Sequence, residues 1–582
     1  MISLRRLLPT WLQHYPRQHL SDDLIAGVVV GILVIPQSLG YALLAGLPPV
    51  YGLYAAIIPV LVYAWIGASA TQAIGPVAIT SIMTAQALGS LATQAPELLE
   101  NLALYASFAA LLGLMTGLIL VLAGWLRLGW LTQFMSRGVV SGFISGAALL
   151  IILSQLKHLF GIPLQGDRLP NLVSSFWQHA TELHGLTALL GSMAIVLLLL
   201  NRRYLNPLLL RRGFSTTTAA LLTKLVPVLV VIIATLCTAY WGLAGHGVAI
   251  VGDIPSGLPQ LSLPALPSLS IGLQLLPAAG LIALIAFISS ASVAQEFALK
   301  RHEIFDANRE LSGLGYANVA GAFSQGFPVT GGFSRTAVNV EAGAQTPLAG
   351  VGSALVMLLV LLLLSSWFYH LPLAVLGAGI IVAVWSLIDV QTLKLAWQSD
   401  RMDAWVWLAT AAGVVMLGLQ VGLMLGLMLS FMGLLWQSSH PHLAVVGQIA
   451  DTGHFRNIER YSTVTYPEIL LLRIDESLYF GNCRAVAHRV EAICQQQPKT
   501  QHVVLILSAV NHIDLAAQQM LQTLNRQLQT RAIKLHLAEV KGPVYDALQR
   551  SPLLLHLSGQ VFLTPLAAVQ SLRAQQPPEY YL

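Results

Sequence analysis

A single arginine, Arg335, lies in the stretch FPVTGGFSRTAVN (327–339), where glycine and proline stand just before a short apolar run. A second stretch, IGPVAITSIMTAQ (74–86), has the same order of residue types. Because glycine and proline break a continuous helix, each stretch predicts a short helix that begins after an irregular segment. Both carry small hydroxyl side chains, which are Thr80, Ser81 and Thr84 in residues 74–86 and Thr330, Ser334 and Thr336 in residues 327–339.

Two such helices have the chemistry of an anion site. The start of a helix offers unpaired backbone N–H groups and about half a positive charge. Arg335, in the first turn of the second short helix, adds a full charge and a fork of donors. If residues 24–243 and 275–437 are two halves of opposite orientation, the helix starts meet near the membrane midplane. A bound anion and a hydrated cavity would then offset the cost of a membrane-buried arginine, about 2.5 to 3.5 kcal/mol.

The sequence leaves structural roles open for the charged residues. Arg335 could instead snorkel to the lipid surface or pair with Glu341 or Glu296. Glu296 is itself a candidate for binding a coupling ion. Lys300 and Arg301 follow Glu296 at spacings that also favour a surface ion pair at the end of a helix.

The remaining motifs do not indicate catalysis or a cofactor. His440 and His442 flank Pro441, which is more typical of a linker than of a metal site. The chain contains no GxxxxGK[ST] motif of an ATP-driven motor. It also shows no set of nucleophile, base and orienting group that could be read from spacing. We therefore expect a protein that is not an enzyme and holds no cofactor or metal.

The composition indicates an integral membrane protein. Of 582 residues, 56% are hydrophobic and 9% are charged, whereas soluble domains carry about a quarter charged residues. The apolar stretches from Leu24 to Trp436 leave room for about 14 spans of roughly 20 residues. The 30 basic residues exceed the 25 acidic ones without forming a basic stripe, so nucleic acid is not an expected partner.

Basic residues mark one set of breaks between the apolar stretches. By the positive-inside rule these breaks face the cytoplasm, so that both chain ends lie inside. Residues 1–22 lack the apolar core of a signal peptide and predict a cytoplasmic, interfacial segment. A transport domain is expected over residues 23–437. The marking residues are Arg5, Arg6, Arg17, Arg127, Arg137, Arg202, Arg203, Arg211, Arg212, Lys300, Arg301, Lys394 and Arg401.

The composition changes after Trp436. ILLLRI (469–474), VVLIL (503–507) and IKLHLAEV (533–540) are typical of buried strands. Helical patterns, AVAHRVEAICQQQ and LAAQQMLQTLNRQLQ, separate them. This alternation predicts a small cytoplasmic α/β domain over residues 442–582.

Long motifs of the chain resemble the sulfate permease (SulP) family of anion transporters, in the right order along the whole chain. They are IPQSLGYALLAGLPPVYGLYAAIIPVLVYAWIGAS (35–69), IGPVAITSIM (74–83), FDANRELSGLGYANVAGAFSQGFPVTGGFSRTAVNVEAGAQTPLAG (305–350), HFRNIERYSTV (454–464) and LRIDESLYFGN (472–482).

The resemblance implies 14 transmembrane segments in two inverted sevens, a core domain that moves against a gate domain, and a C-terminal STAS domain. It also implies a homodimer. Substrate is expected between the third and tenth segments, with help from the first and eighth. The implied substrate-binding residues are Gln37, Ser38, Tyr41, Gly75, Pro76, Val77, Ala78, Ser289, Ser334 and Arg335.

Two departures from the family pattern affect these expectations. Many relatives carry an acidic residue at the position aligned with Ser289 and a basic one at that of Gln295, which weakens the case for proton coupling through the usual carboxylate. In the C-terminal domain, Leu515, Ala516 and Ala517 occupy positions where related domains keep a phosphorylatable serine or threonine. Phosphorylation at that spot is therefore not expected, and a role in assembly or in contact with a soluble partner is favoured.

The leading functional hypothesis is secondary active transport of sulfate or a similar small inorganic anion, by alternating access, across a bacterial inner (plasma) membrane. A bicarbonate or dicarboxylate carrier of the same fold is the nearest alternative, and a nucleobase symporter is more distant. A protein of another class, an anion-gated membrane motor or a non-transporting anion-sensing scaffold acting through the STAS domain, is the third. Coupling to H⁺, coupling to Na⁺ and exchange all stay open.

Overall fold

The computed structural model describes residues 9–13, 15–93, 97–130, 136–164, 166, 168–252, 257–264, 269–450 and 452–574. The side chains of a few helical residues, Ser334 among them, lie outside this description. The chain forms two compact units, Met1–Ser430 and Phe431–Leu582. Among the described residues, seven helices have the length and apolar composition needed to cross a membrane.

With the shorter helices included, the first half of the membrane region contains seven segments. The short helix Val50–Tyr54 leads into the second of them. The segments are α1 (Leu20–Leu44), α2 (Ile58–Ile66), α3 (Ala78–Ala92), α4 (Leu102–Trp125), α5 (Arg137–Phe160), α6 (Gly185–Leu200) and α7 (Thr216–Tyr240).

The second half contains seven more. These are α8 (Leu269–Lys300), α9 (Ala307–Phe323), α10 (Phe333–Glu341), α11 (Leu348–Leu363), α12 (Leu373–Trp385), α13 (Arg401–Leu417) and α14 (Leu419–Ser439). The predicted fold class, a multi-pass helical membrane protein of 14 segments, is confirmed. In each half the third segment is short and begins after an extended strand, β1 (Ile74–Gly75) or β2 (Thr330–Gly331).

Glycines set the close packing of α4 against α9. A Cβ atom on Gly117 would lie 2.7 Å from the carbonyl oxygen of Gly315, and one on Gly315 would lie 2.7 Å from the amide nitrogen of Val121. Small residues let two membrane helices approach at backbone distance, where dispersion contacts are densest. This contact fixes the position of α9, which carries the buried Glu310.

A buried carboxylate ties α1 to the loop before α11. Asp23 is fully buried, and its oxygens accept hydrogen bonds from the backbone N–H groups of Gln345 and Thr346 and from the Thr346 hydroxyl. The Tyr15 hydroxyl also donates to Asp23. Four donors satisfy the carboxylate, so it has a structural role.

The second unit is an α/β domain with a six-stranded sheet in the order β4-β3-β5-β6-β7-β8. The strands β5 through β8 are parallel, and β3 and β4 join antiparallel at one edge. The sequence prediction of strand–helix alternation is confirmed. The strands are β3 (Leu443–Gln448), β4 (Phe455–Asn457), β5 (Ile469–Ile474), β6 (His502–Ile506), β7 (Lys534–Ala538) and β8 (Val561–Phe562), and the helices are α15 (Cys483–Gln496), α16 (Leu515–Thr530), α17 (Gly542–Gln549) and α18 (Pro565–Ala574).

Alternate side chains of the central strand β6 enter the two cores of this domain. Val503 and Leu505 pack with the helices of one face, whereas Val504 and Ile506 pack with α18 on the other. Burial on both faces explains why the strand is a continuous apolar run. At the start of α16, where related domains keep a phosphorylatable residue, the Asp514 side chain accepts the Ala517 N–H and caps the helix.

Candidate functional site

The two broken segments meet as a short antiparallel pair of strands. Ile74 lies opposite Gly331, and Gly75 lies opposite Thr330. The N–H of Gly332 donates to the carbonyl oxygen of Ala73 at 3.2 Å. Because α3 begins three residues after Gly75 and α10 begins two residues after Gly331, the strand pair brings the two helix starts together.

In the part of the chain that the structure describes, neither helix start has a side-chain cap. Val77 and Gly332, which precede α3 and α10, have extended backbones and supply no side-chain acceptor. The hydroxyls of Thr80 and Ser81 donate back to the Val77 carbonyl oxygen. The positive ends of both helices are therefore available to a ligand.

Arg335, the third residue of α10, lies buried beside these helix starts, with a side chain that is 3% exposed. Its Nη1 and Nη2 atoms have no hydrogen-bond partner among the described residues. The guanidinium carbon lies 5.8 Å from the centre of the Tyr41 ring. We call Arg335, the β1–β2 pair and the first turns of α3 and α10 the cradle.

Gly75 makes room for the guanidinium. A Cβ atom at this position would lie 2.4 Å from Nη1 of Arg335, and the φ of Gly75 is +151°. Both facts require glycine, since other residues rarely adopt this backbone conformation. Pro76 and Ala78 are buried and Val77 is half-buried, so the predicted residues 75–78 lie together at the start of α3.

Burial excludes the alternative roles that the sequence allowed for Arg335. The side chain does not reach the lipid surface. Glu341 is exposed at the far end of α10, six residues away. Glu296 instead binds Lys300 at 2.8 Å and is 44% exposed. The structure therefore does not place the predicted coupling residue Glu296 in the cradle.

The first segment places Tyr41 beside the cradle and Gln37 in a neighbouring cavity. This cavity, of about 430 Å³, is lined by Gln37 and Tyr41 together with residues of α7 and α12, and it reaches Val338 of α10. Tyr41 thus borders both the cavity and the guanidinium. Ser38 is fully buried, and its hydroxyl has no hydrogen-bond partner among the described residues.

The eighth segment reaches the cradle through Ser289, whose hydroxyl donates to the Gly331 carbonyl oxygen at 3.4 Å. The backbone of Ser334 lies next to Arg335, but its side chain lies outside the described part of the chain. Among the predicted site residues, the structure thus assembles those of the third and tenth segments with Tyr41 and Ser289. Gln37 lies on the cavity side.

Two side chains of α10 hold the strand segment in place. The Thr336 hydroxyl accepts the N–H of Ala73 at 3.1 Å. The Asn339 amide donates to the Thr71 carbonyl oxygen at 2.7 Å. No role for Asn339 was predicted from the sequence, although its position four residues after Arg335 places both on one helix face.

Comparison with known proteins extends over almost the whole chain. Residues 20–410 match the Sulfate permease family, and residues 460–566 match the STAS domain. The Arabidopsis thaliana protein named Sulfate transporter 4.1, chloroplastic, is 33% identical over 93% of this chain and 78% of its own length. A probable sulfate transporter of Mycobacterium tuberculosis is 33% identical over 96% of this chain and 97% of its own length.

Solved structures show the same fold. The murine Solute Carrier 26 family member A9 anion transporter, in the inward-facing state, matches with a TM-score of 0.85 at 23% identity, over 98% of this chain and 94% of that one. The transmembrane domain of a cyanobacterium bicarbonate transporter matches with a TM-score of 0.57 at 22% identity, over 71% of this chain and 98% of that one.

Proposed function

Because the chain belongs to the sulfate permease family, we propose that it transports sulfate by alternating access and binds the anion in the cradle. The observation that carries this proposal is a buried arginine beside two helix starts. Within the described residues, its two terminal nitrogens have no hydrogen-bond partner, and the helix starts have no side-chain cap. Buried polar groups are almost always paired in proteins. An anion that accepts hydrogen bonds from both nitrogens and from the helix starts supplies the partners.

Charge favours a doubly charged anion. The guanidinium contributes one positive charge, and each helix start contributes about half of one, for a total of about two. Sulfate neutralises this total, whereas bicarbonate or chloride leaves an excess of about one positive charge in a poorly hydrated site. Sulfate oxygens also suit the bidentate geometry of arginine.

Each proposed binding residue then has a role. Arg335 binds two sulfate oxygens, and the backbones of Gly75, Val77, Ala78 and Ser334 offer N–H groups. Pro76, which has no N–H group, separates β1 from α3. Tyr41 supports the guanidinium, and Ser289 holds the Gly331 carbonyl oxygen by a hydrogen bond. Gln37 lines the cavity through which the anion approaches. Ser38 supplies a hydroxyl that has no hydrogen-bond partner among the residues described.

The setting of the protein is part of the proposal. We place it in a bacterial inner membrane with both termini in the cytoplasm, as the distribution of basic residues favours. It works as a homodimer, without a cofactor or resident metal, and couples sulfate to H⁺ or Na⁺. The C-terminal domain serves assembly or binds a soluble partner. The exposed Phe480 and Leu515 support such a contact role.

Uptake of labelled sulfate into proteoliposomes tests the transport proposal. The wild type is expected to show saturable uptake, and Arg335→Ala is expected to show none above empty vesicles. Arg203→Ala, which removes an exposed arginine outside the cradle, is expected to match the wild type. Unlabelled bicarbonate, chloride and a dicarboxylate should compete less well than sulfate. A wild type without flux would support the scaffold alternative instead.

A further inference from the structure

Four buried side chains form a closed ring of hydrogen bonds next to the cradle. Glu310 of α9 contacts the Ser290 hydroxyl through Oε1 at 2.5 Å and the Tyr63 hydroxyl through Oε2 at 2.7 Å. The Tyr63 hydroxyl also lies 2.8 Å from Oε1 of Gln72, and Nε2 of Gln72 lies 2.7 Å from the Ser290 hydroxyl oxygen. Each of the four residues is at most 6% exposed. We call them the Glu310 ring.

The orientation of the Gln72 amide follows from its neighbours. Nε2 of Gln72 lies 3.1 Å from the backbone carbonyl oxygen of Ser290, which can only accept a hydrogen bond. The nitrogen must therefore face Ser290. In consequence Oε1 of Gln72, an acceptor, must face the Tyr63 hydroxyl.

Counting protons around the ring favours a protonated Glu310. The Ser290 hydroxyl accepts from Gln72 and uses its proton to donate to Oε1 of Glu310. Tyr63 has one proton but two neighbouring acceptors, Gln72 Oε1 and Glu310 Oε2. If Glu310 is protonated on Oε2, it donates to Tyr63, Tyr63 donates to Gln72, and every contact is satisfied. If Glu310 is ionised, the single Tyr63 proton can serve either Glu310 Oε2 or Gln72 Oε1. In the contact that it does not serve, two acceptor oxygens then face each other.

No cation within the described part of the chain pairs with Glu310. The charge of the adjacent Arg309 acts on Glu310, but the Arg309 guanidinium is exposed and donates to the Ile66 carbonyl oxygen. The remaining polar group facing the carboxyl is the backbone N–H of Ala68. The packed helix α4 contributes no charged side chain between Leu102 and Trp125, and on α8 the nearest charges, Glu296 and Lys300, pair with each other at the surface. An unpaired buried carboxylate is unfavourable, and this also favours the neutral acid.

The ring is in direct contact with the cradle. A Cβ atom on Gly331 of β2 would lie 1.8 Å from Nε2 of Gln72 and 2.8 Å from the Ser290 hydroxyl oxygen. Gln72 also lies only two residues before β1, which borders Arg335. Loss of the proton from Glu310 breaks one of the two hydrogen bonds of the Tyr63 hydroxyl in the ring. Gln72 is the ring residue whose backbone leads into β1 and therefore into the cradle.

We propose that Glu310 is a proton-binding site coupled to the anion site, so that proton binding at Glu310 and sulfate binding at Arg335 strengthen each other. The step is a simple protonation, in which a hydronium ion of the solvent gives up one proton, an O–H bond forms on the carboxylate, and a water molecule is left. The neutral acid leaves the positive potential of the cradle intact, and the coupling is reciprocal by thermodynamic necessity. This proposal rests on the proposed function, because it needs an anion in the cradle.

The test uses Glu310→Gln in the full-length protein. Glutamine reproduces the protonated acid, because its Oε1 accepts from Ser290 and its Nε2 donates to Tyr63. Purified protein is titrated with sulfate in a weakly buffered solution that contains a pH indicator. At alkaline pH, where Glu310 of the sulfate-free protein is partly ionised, we expect the wild type to take up protons as it binds sulfate, and its sulfate affinity to fall by up to about tenfold per pH unit. Glu310→Gln should bind sulfate without proton uptake and without this pH dependence.

Glu296→Gln serves as the matched control, since it removes a carboxylate that pairs at the surface, and it is expected to follow the wild type. Sulfate binding by the wild type without proton uptake would overturn the proposal, as would proton uptake that persists in Glu310→Gln. If the wild type binds no sulfate, the proposed function fails. Infrared spectra then decide on Glu310 itself, because the carbonyl band of a protonated acid must be present in the wild type and absent in Glu310→Gln.

Discussion

Replacing Gly75 by alanine would place a methyl group 2.4 Å from Nη1 of Arg335. Non-bonded heavy atoms prefer separations of about 3.5 Å or more, so the guanidinium or the strand must shift by roughly 1 Å. A shift of this size in a binding group can cost on the order of 100-fold in rate. The backbone of Gly75, with φ of +151°, adds strain of about 1 to 3 kcal/mol for a residue with a side chain.

We therefore expect Gly75→Ala to reduce the initial rate of sulfate uptake into proteoliposomes by about 100-fold at low sulfate concentration. Gly89→Ala is the control, because Gly89 lies within the same helix α3 and a Cβ atom there meets no other atom within 4 Å. This variant should transport like the wild type. Wild-type transport by Gly75→Ala, in protein that elutes as a single species, would refute the assignment of Arg335 to the anion site.

Three further variants probe the supports of the cradle and the C-terminal domain. Tyr41→Leu removes the ring beside the guanidinium and should weaken sulfate binding by roughly 2- to 30-fold. Tyr41→Phe keeps the ring and should bind sulfate like the wild type. Equal affinities of the two variants would exclude a role for the ring. Thr336→Val leaves the buried N–H of Ala73 unpaired and should lower the free energy of unfolding by about 1 to 3 kcal/mol, measured by thermal unfolding with Thr336→Ser as the control. Burial lowers the pKa of His536 from 6.5 to about 4, so the unfolded chain binds the proton more readily than the folded domain. We therefore expect the domain to lose stability as the pH falls from 6.5 to about 4. Calorimetry should show that loss to be smaller in His536→Gln.

The sequence predicted the cradle because its signals are local. Glycine and proline before residues 78 and 333 indicate where each helix begins. The isolated positive charge of Arg335 indicates that the ligand at the helix starts is an anion. The cradle follows from the sequence if two similar segments occupy corresponding places in two halves of the chain. The boundaries of those halves, 24–243 and 275–437, and the assignment of each substrate-binding residue stay predictions.

The Glu310 ring was not predicted, because its signal is not local. Tyr63 and Gln72 lie more than 200 residues from Ser290 and Glu310, and no periodic pattern relates them. Glu296 was more conspicuous in the sequence, being an acidic residue late in a long apolar stretch. The structure distinguishes the two carboxyl groups by burial, since Glu310 is 0% exposed and Glu296 lies at the surface.

Equilibrium binding of sulfate to purified protein tests the central claim most directly, since it does not depend on transport. Hydrogen bonds to charged groups contribute about 1.5 to 3 kcal/mol each, so the loss of a bidentate arginine should weaken binding by at least about 100-fold. In isothermal titration calorimetry we expect the wild type to bind sulfate and Arg335→Ala to show no measurable binding at the same concentrations. Equal affinities of the two proteins would contradict the account.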